Sequence, residues 1–355
     1  MGLLTKLLAL LTCLLIPSLS FSSPNIDKKY DVVSIGKAMV DIIQYVSEDE
    51  FIQLMPVGFN RTDSNRVSET EADEIYLKMK DPIIIPGGSE ANVMVNIASL
   101  GGRSAFNSIA ANDEYGVLFK KSLIHEKVDY LSIFAPKESN MRTARCFTFI
   151  TPDKDRTFLV SAEISKKIND SFVDYNSIKN SKVFYTDASN LSKDGAAEVI
   201  LKAIDIARSN DTKVAFNLNN NYYVEKYREQ IIDLLPKIDI FMGSEKEALN
   251  LFKSESVDQA ISEYLKTTKI VVITLGKRGA IIATDQVRLH IPIVNKREEI
   301  KDLNGAGDGF VAGFLYGYTN RYTLKESGDI AAKTAAQIIY QVGARPRKSL
   351  KNKVL

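Results

Sequence analysis

From Tyr30 onward, short runs of β-branched and aromatic residues alternate with stretches whose apolar positions recur every three or four residues. The run Asp31–Ile35, closed by Gly36, predicts a buried strand. Further strands are predicted over Ala105–Ile109, Lys182–Tyr185, Val214–Leu218, Ile238–Phe241 and Ile270–Leu275. Helices are predicted over Ser89–Leu100, Ala196–Arg208, Glu225–Leu235, Glu245–Phe252, Val257–Leu265, Gly305–Tyr318 and Leu324–Val342. Ser89 stands where an N-cap belongs, and Gly101 where that helix stops. Thr323 and Glu326 have the spacing of a capping box, and Gly343 closes the last helix. Alternating strand and helix predicts an α/β fold, a largely parallel sheet covered on both faces. Two segments break the rhythm. Residues 37–60 and 140–161 carry short strand-like runs such as Ala144–Ile150 and Thr157–Ser161, and predict a small flap of strands. With no Pro/Gly/Ser-rich linker, residues 24–355 read as one domain with a lid.

The first 23 residues differ. Lys6 precedes the apolar run Leu7–Ile16, Pro17 ends it, and Ser18, Ser20, Ser22 and Ser23 follow. That pattern predicts a secretory leader and hence export; an upstream start codon is the alternative. The run is shorter than the ~20 residues needed to span a bilayer. Loss of a leader containing Cys13 would leave Cys146 as the only cysteine, with no intramolecular disulfide.

Charge removes several function classes. The 355 residues hold 46 Lys+Arg and 44 Asp+Glu, a net charge of +2, which gives no support to nucleic-acid or membrane-surface binding. Two histidines and two cysteines are too few for a Cys/His zinc centre and leave a Ser-His-Asp hydrolase little to build on.

Chemistry concentrates in two glycine clusters. Gly305, Gly307, Gly309, Gly313 and Gly317 lie in or at the mouth of one predicted helix. Interior glycine costs ~1 kcal/mol against alanine, so this many requires a cause. Gly309, Gly313 and Gly317 recur at every fourth position and predict a face for close helix packing. Gly305-Ala306-Gly307 fall at the helix start, where unpaired N–H groups and the dipole can hold an anion. Asp308 follows in the first turn. It reads either as an acid favoured by the dipole or as a general base beside a transferring phosphoryl group. The absence of Gly-Lys-Ser/Thr excludes a Walker A loop, and the late position argues against a dinucleotide fingerprint. The second cluster, Ile85-Pro-Gly-Gly-Ser-Glu-Ala-Asn92, leads into a helix. Asn92 and Asn96 share one face of it, either a solvated polar face or the wall of a pocket for a polyhydroxylated substrate.

These clusters, in this order, resemble the PfkB carbohydrate kinase (ribokinase-like) family, with closest likeness to its bacterial adenosine kinase-like branch. The likeness spans Tyr30 to Pro346. It rests on Asp31-Val-Val-Ser-Ile-Gly36 with Asp41, Gly87-Gly-Ser-Glu-Ala-Asn92, Thr143-Ala-Arg-Cys146 with Thr151-Pro-Asp153, and Asn304-Gly-Ala-Gly-Asp308. The stretches Gly313-Phe-Leu-Tyr-Gly317 and Val342-Gly-Ala-Arg-Pro346 add to it. The resemblance implies a three-layer αβα sandwich with a β lid, and transfer of the ATP γ-phosphate to a primary hydroxyl of a nucleoside or sugar. By that resemblance Asp308 is the catalytic base and Gly305, Ala306 and Gly307 form the anion hole. Asp41, Gly87, Gly88 and Asn92 bind the acceptor. Gly276 and Arg156 contact ATP, and Glu247 handles Mg2+ through water. K+ near Asp302 is a further candidate cofactor, pairing of lids into a homodimer is a further implication, and the resemblance implies a cytoplasmic place where the leader implies export.

The chain departs from the family pattern at Ser244, where Asn is usual, at Leu303, where Thr is usual, and at Lys37, where the adenosine kinase-like branch has Asn. Asn219-Asn-Asn-Tyr-Tyr223 replaces a loop that often carries Ser/Asp-Pro-Phe. Lys37 stands four residues before Asp41 and is a candidate partner for it. Three functions follow, in descending order: an active ATP-dependent kinase, a kinase-fold binding protein without turnover, and a dinucleotide oxidoreductase.

Overall fold

The computed structural model describes residues 28–355 except 57, 60, 62–63, 138–140, 154, 192–194 and 295–299; the leader of the sequence reading lies outside the described residues. The strands are β1 (Tyr30–Ile35), β2 (Met39–Tyr45), β3 (Ser64–Arg66), β4 (Ile83–Pro86), β5 (Ser104–Asn107), β6 (Asp129–Tyr130) and β7 (Ala144–Ile150). They continue with β8 (Arg156–Ser161), β9 (Ser181–Asp187), β10 (Lys213–Asn217), β11 (Ile240–Ser244), β12 (Ile270–Thr274), β13 (Ala280–Ala283) and β14 (Arg288–Ile291). The helices are α1 (Glu48–Leu54), α2 (Glu69–Lys78), α3 (Ser89–Leu100), α4 (Glu114–His125), α5 (Tyr175–Lys179), α6 (Ala196–Ser209) and α7 (Asn221–Lys226). After them come α8 (Arg228–Leu234), α9 (Glu245–Phe252), α10 (Val257–Tyr264), α11 (Ala306–Thr319), α12 (Leu324–Ile339) and α13 (Lys351–Val354).

The main sheet has the order β14-β13-β12-β11-β10-β9-β1-β5-β6. It is parallel from β12 to β6, and the β13–β14 hairpin adds two antiparallel strands at one edge. A strand buried on both faces sends alternate side chains into two separate cores. In β1, Val33 and Ile35 face a core shared with α6, α8, α9 and α10, while Val32 faces a core shared with α3, α4, α11 and α12. In β9, Phe184 and its neighbours Val183 and Tyr185 divide the same way. The result is the expected αβα sandwich.

A second sheet has the order β3-β8-β7-β2-β4; β2, β7 and β8 lie in the two segments expected to form a flap, whereas β3 and β4 fall outside them. Val40, Ile42, Phe147, Phe149 and Leu159 on one face are buried with Phe51 and Leu54 of α1 and Ala72 and Ile75 of α2. The period of two therefore turns Asp41 to the opposite face.

The glycine face of α11 packs on α12. A Cβ on Gly313 would lie 2.6 Å from the Ala331 Cα, and one on Gly317 2.7 Å from the Ser327 Cα. Alanine at either place would push the helices apart. Most boundaries shift by a residue or two, and three places differ more. The segment predicted as one helix over Glu225–Leu235 is two helices, broken at Tyr227, whose ψ of 23 departs from the α region. The strand expected over Ile238–Phe241 starts at Ile240 and runs on to Ser244. The helix predicted to run to Val342, α12, ends at Ile339, and Gly343, with φ 92, turns the chain beyond it. Among the described residues no helix is long and apolar enough to cross a membrane.

Candidate active site

The parallel strands end beside the N-terminus of α11, around a cavity of about 120 Å³ lined by Asn217, Ser244, Glu247, Thr274, Gly307 and Asp308 among others. Gly305 is the N-cap of α11, with φ 78. A Cβ there would also lie 2.4 Å from the Ala344 Cβ, so glycine is required twice over. Gly307 faces open space, with no atom within 4 Å of where its Cβ would be. Among the described residues the N–H groups of Gly307 and Asp308 meet no acceptor, which leaves two donors aimed from a helix start.

Asp308 does not cap its own helix. Its carboxylate accepts from Ser89 Oγ at 2.7 Å and from Asn92 Nδ2 at 3.0 Å, both on α3. Burial raises its pKa, and those two hydrogen bonds oppose the rise. Ser89 is therefore not the N-cap expected of it. Gly88 holds that position with φ 87, a conformation that an L side chain rarely adopts, and the serine hydroxyl is free for Asp308. Asn92 and Asn96 do not form a solvated face either: both are buried, and Asn96 Nδ2 donates to the Ala344 carbonyl at 3.3 Å.

Asp41 lies against Gly87, where a Cβ would come within 2.5 Å of its carboxylate atoms. Only glycine admits the acid there. A residue the sequence reading gave no role completes this wall. Arg345 donates from Nε to Asn92 Oδ1 at 3.0 Å, from Nη2 to the Gly87 carbonyl at 2.9 Å and from Nη1 to Ser122 Oγ at 2.9 Å. Burial pushes Asp41 up to about 7 against the pull of Arg345, and Asp308 adds to the rise. The same desolvation brings Arg345 down to about 10. The signal for Arg345 was present, as the one charged residue of Val342-Gly-Ala-Arg-Pro346.

The remaining expected residues fall into three places. Glu247 lines the cavity, but its Oε2 accepts from the Ser244 N–H at 2.8 Å, so the Ser244–Glu247 pair is also the capping box of α9. Burial raises the Glu247 pKa. Gly276 turns the chain just after β12, with φ 59 and nothing within 4 Å of a Cβ. Arg156 sits elsewhere: its Nη1 lies 2.7 Å from Asp302 Oδ1. Asp302 also accepts from the N–H groups of Asn304 at 2.7 Å and Gly343 at 3.0 Å. The Lys37–Asp41 pair does not form. Lys37 Nζ donates to the Ser189 carbonyl at 2.8 Å and lies 5.3 Å from the Tyr223 ring centre. Sequence reading also missed Asp187, a buried acid at the end of β9 that accepts from Asn219 Nδ2 at 2.6 Å.

Among the described residues no group of three His, Cys, Asp or Glu side chains is placed to hold a metal directly. One carboxylate in the cavity, Glu247, fits a hydrated ion carried on nucleotide phosphates.

A family model described as "pfkB family carbohydrate kinase" matches residues 29–350. The chain belongs to this family. It is 26% identical over 325 residues, 90% of each chain, to an ATP-dependent 6-phosphofructokinase of Thermoanaerobacterium thermosaccharolyticum. It is 25% identical over 328 residues, 88% of each chain, to a 5-dehydro-2-deoxygluconokinase of Clostridium botulinum. Among solved structures, a probable sugar kinase of Rhizobium etli superposes with TM-score 0.84 at 28% identity, covering 92% of this chain and 97% of that one. An adenosine kinase of Sinorhizobium meliloti gives 0.83 at 28% identity, covering 91% and 98%. This PfkB kinase is accordingly an ATP-dependent carbohydrate or nucleoside kinase.

Proposed function

We propose that this PfkB kinase moves the γ-phosphate of ATP to a primary hydroxyl of a nucleoside or sugar, with Asp308 as general base. The observation that carries the reading is the Asp308 carboxylate, held by Ser89 and Asn92 beside the unpaired N–H groups of Gly307 and Asp308. The acceptor hydroxyl gives its proton to Asp308 as its oxygen bonds to the γ-phosphorus. The bond from that phosphorus to the β–γ bridging oxygen breaks, and ADP leaves with the electron pair. The two N–H groups and the positive end of α11 hold the charge on the transferring group. Mg2+ on the nucleotide would neutralise phosphate charge, with Glu247 reaching it through water.

Asp41, Gly87, Gly88 and Asn92 hold the ring hydroxyls of the acceptor, and Arg345 keeps Asn92 and Gly87 in place. The second sheet serves as the lid that excludes water during transfer. Similarity to 6-phosphofructokinase, 5-dehydro-2-deoxygluconokinase and adenosine kinase makes hexoses, sugar acids and ribonucleosides the acceptors to try first.

The test is a coupled phosphotransfer assay with adenosine, fructose, fructose 6-phosphate and 5-dehydro-2-deoxygluconate, run with Asp308→Asn beside the native chain. Removal of a general base costs typically ~10²–10⁴-fold. The expected result is turnover with one acceptor and a loss of that size in kcat for the variant. An Asp308→Asn enzyme as fast as the native one would sink the mechanism. Acceptor binding without turnover by the native chain would favour a binding protein instead.

A further inference from the structure

A second cavity, of about 390 Å³, lies behind the anion-hole turn and has a different character. Its walls bring together Lys301, which precedes α11, Arg347 and Lys348 of the loop after α12, and Lys353 of α13. Its lining contains no aspartate or glutamate among the described residues, and all four cations are exposed. Among the described residues none of the four forms a salt bridge. Cations near a helix C-terminus are favoured by the dipole. That does not explain this set, because the last turn of α12 itself contains no basic residue.

We propose that this basic cleft binds a compact, multiply charged phosphate compound and that its occupancy is felt at the acceptor site. An arginine fork with three mobile ammonium groups suits phosphate oxygens. The volume lies within the ~300–1,000 Å³ of small-ligand sites. A concave site on a chain of net charge +2 favours a small anion over an extended polyanion, which needs a basic stripe.

The link to the acceptor site is a single side chain. Gln341, a wall of the cleft, donates from Nε2 to the Arg345 carbonyl at 2.5 Å and accepts from the Arg347 N–H at 3.1 Å. The loop it clamps carries Gly343, whose N–H holds Asp302, and Ala344, which abuts Gly305. It also carries Arg345, which holds Asn92 and Gly87. An anion drawing on Arg347 and Lys348 therefore acts on the loop that supports both the anion hole and the acceptor wall. This second half of the proposal rests on the acceptor role given to Asn92 and Arg345; the binding half does not.

The probe is inorganic pyrophosphate, titrated calorimetrically into the full chain without Mg2+. Pyrophosphate could also settle at the start of α11, so two variants separate the sites. Gly307→Asp places a carboxylate in the open space of the anion hole, and Arg347→Ala/Lys348→Ala removes half of the cleft charge. The expected result is binding kept in Gly307→Asp and weakened at least tenfold in the double variant, each variant melting within a few degrees of the native chain. No binding by the native chain, loss in Gly307→Asp, or an unchanged isotherm in the double variant overturns the site. Hydrogen exchange of the amides of residues 342–345 reads the coupling: slower exchange with pyrophosphate is expected, and unchanged exchange overturns it. Neither readout uses turnover, so a failure of the kinase mechanism would leave the binding result standing.

Discussion

Asp41 and Arg345 hold each other's charge state in a wall that also contains Asp308. Burial raises the Asp41 pKa and Arg345 pulls the other way, leaving it at about 7. An acid that grips hydroxyls works best ionised. The kcat/KM for the acceptor is therefore expected to fall on the acid side with a midpoint near pH 7, measured between pH 5 and 9. A flat profile down to pH 5.5 would show that Asp41 stays ionised. Arg345→Gln removes the opposing charge, so the midpoint moves to higher pH and the acceptor KM rises, while the KM for ATP changes little. Stability has its own sign. The folded chain holds the Asp41 proton above the ordinary carboxylate range of ~4, so stability falls as pH rises from about 4 to about 7 and then levels. Asp41→Asn should melt higher than the native chain at pH 8 and show no such gain at pH 4. At this scale the sequence was informative about placement wherever residues share a motif: Asp41, Gly87, Asn92 and Asp308 come together in one wall. It was silent where a role is made by a partner far along the chain. Ser89 reads as a cap until Asp308, 219 positions later, is brought to its hydroxyl. Arg345 reads as part of a turn until it meets Asn92, 253 positions earlier.

The glycines of α11 separate two uses of the same residue in one helix. At Gly313 a Cβ meets backbone of α12 at 2.6 Å, and overpacking of that kind costs ~1–3 kcal/mol. At Gly307 the Cβ meets nothing, and alanine gains up to ~1 kcal/mol of helix propensity. Gly313→Ala should therefore lower the melting temperature, and Gly307→Ala should leave it unchanged or raise it. The order reverses for turnover, because a methyl at Gly307 narrows the approach of the phosphoryl group to its N–H donors. If Gly307→Ala were as active as the native chain, those donors would not be the anion hole. Elements with strong local signals were legible in the same way. The capping box at Thr323 and Glu326 and the left-handed stop at Gly101 stand where expected. Elements defined by partners were not. The four residues of β4 and the three of β3 are strands only because β2 and β8 pair with them. α1 and α2 lie on the second sheet because its Val40, Ile42 and Phe147 need cover, a demand that no local window reveals.

For the whole molecule, the contact between Arg156 of β8 and Asp302 ties the second sheet to the turn that leads into α11. Asp302 is almost wholly buried and accepts two backbone N–H groups besides the guanidinium. Removing Arg156 leaves that carboxylate with a charge and no cation, at a cost of order 1–3 kcal/mol. Arg156→Gln should thus be destabilised by roughly that amount, and Asp302→Asn in the same chain should recover part of it, since the stranded charge is gone. A double-mutant cycle on thermal or urea unfolding measures the coupling, and additive single effects would show that the pair is incidental. The same contact bears on the expected K+. A cation beside Asp302 would have to displace a guanidinium at 2.7 Å and find oxygens not already taken by N–H donors. If the fixed charge of Arg156 takes the place of a bound monovalent ion there, phosphotransfer by the native chain runs equally fast in KCl and in tetramethylammonium chloride. Arg156→Gln empties the place. If the guanidinium stands in for an ion, K+ but not tetramethylammonium restores activity to that variant, whereas K+ stimulation of the native chain would show that the site lies elsewhere.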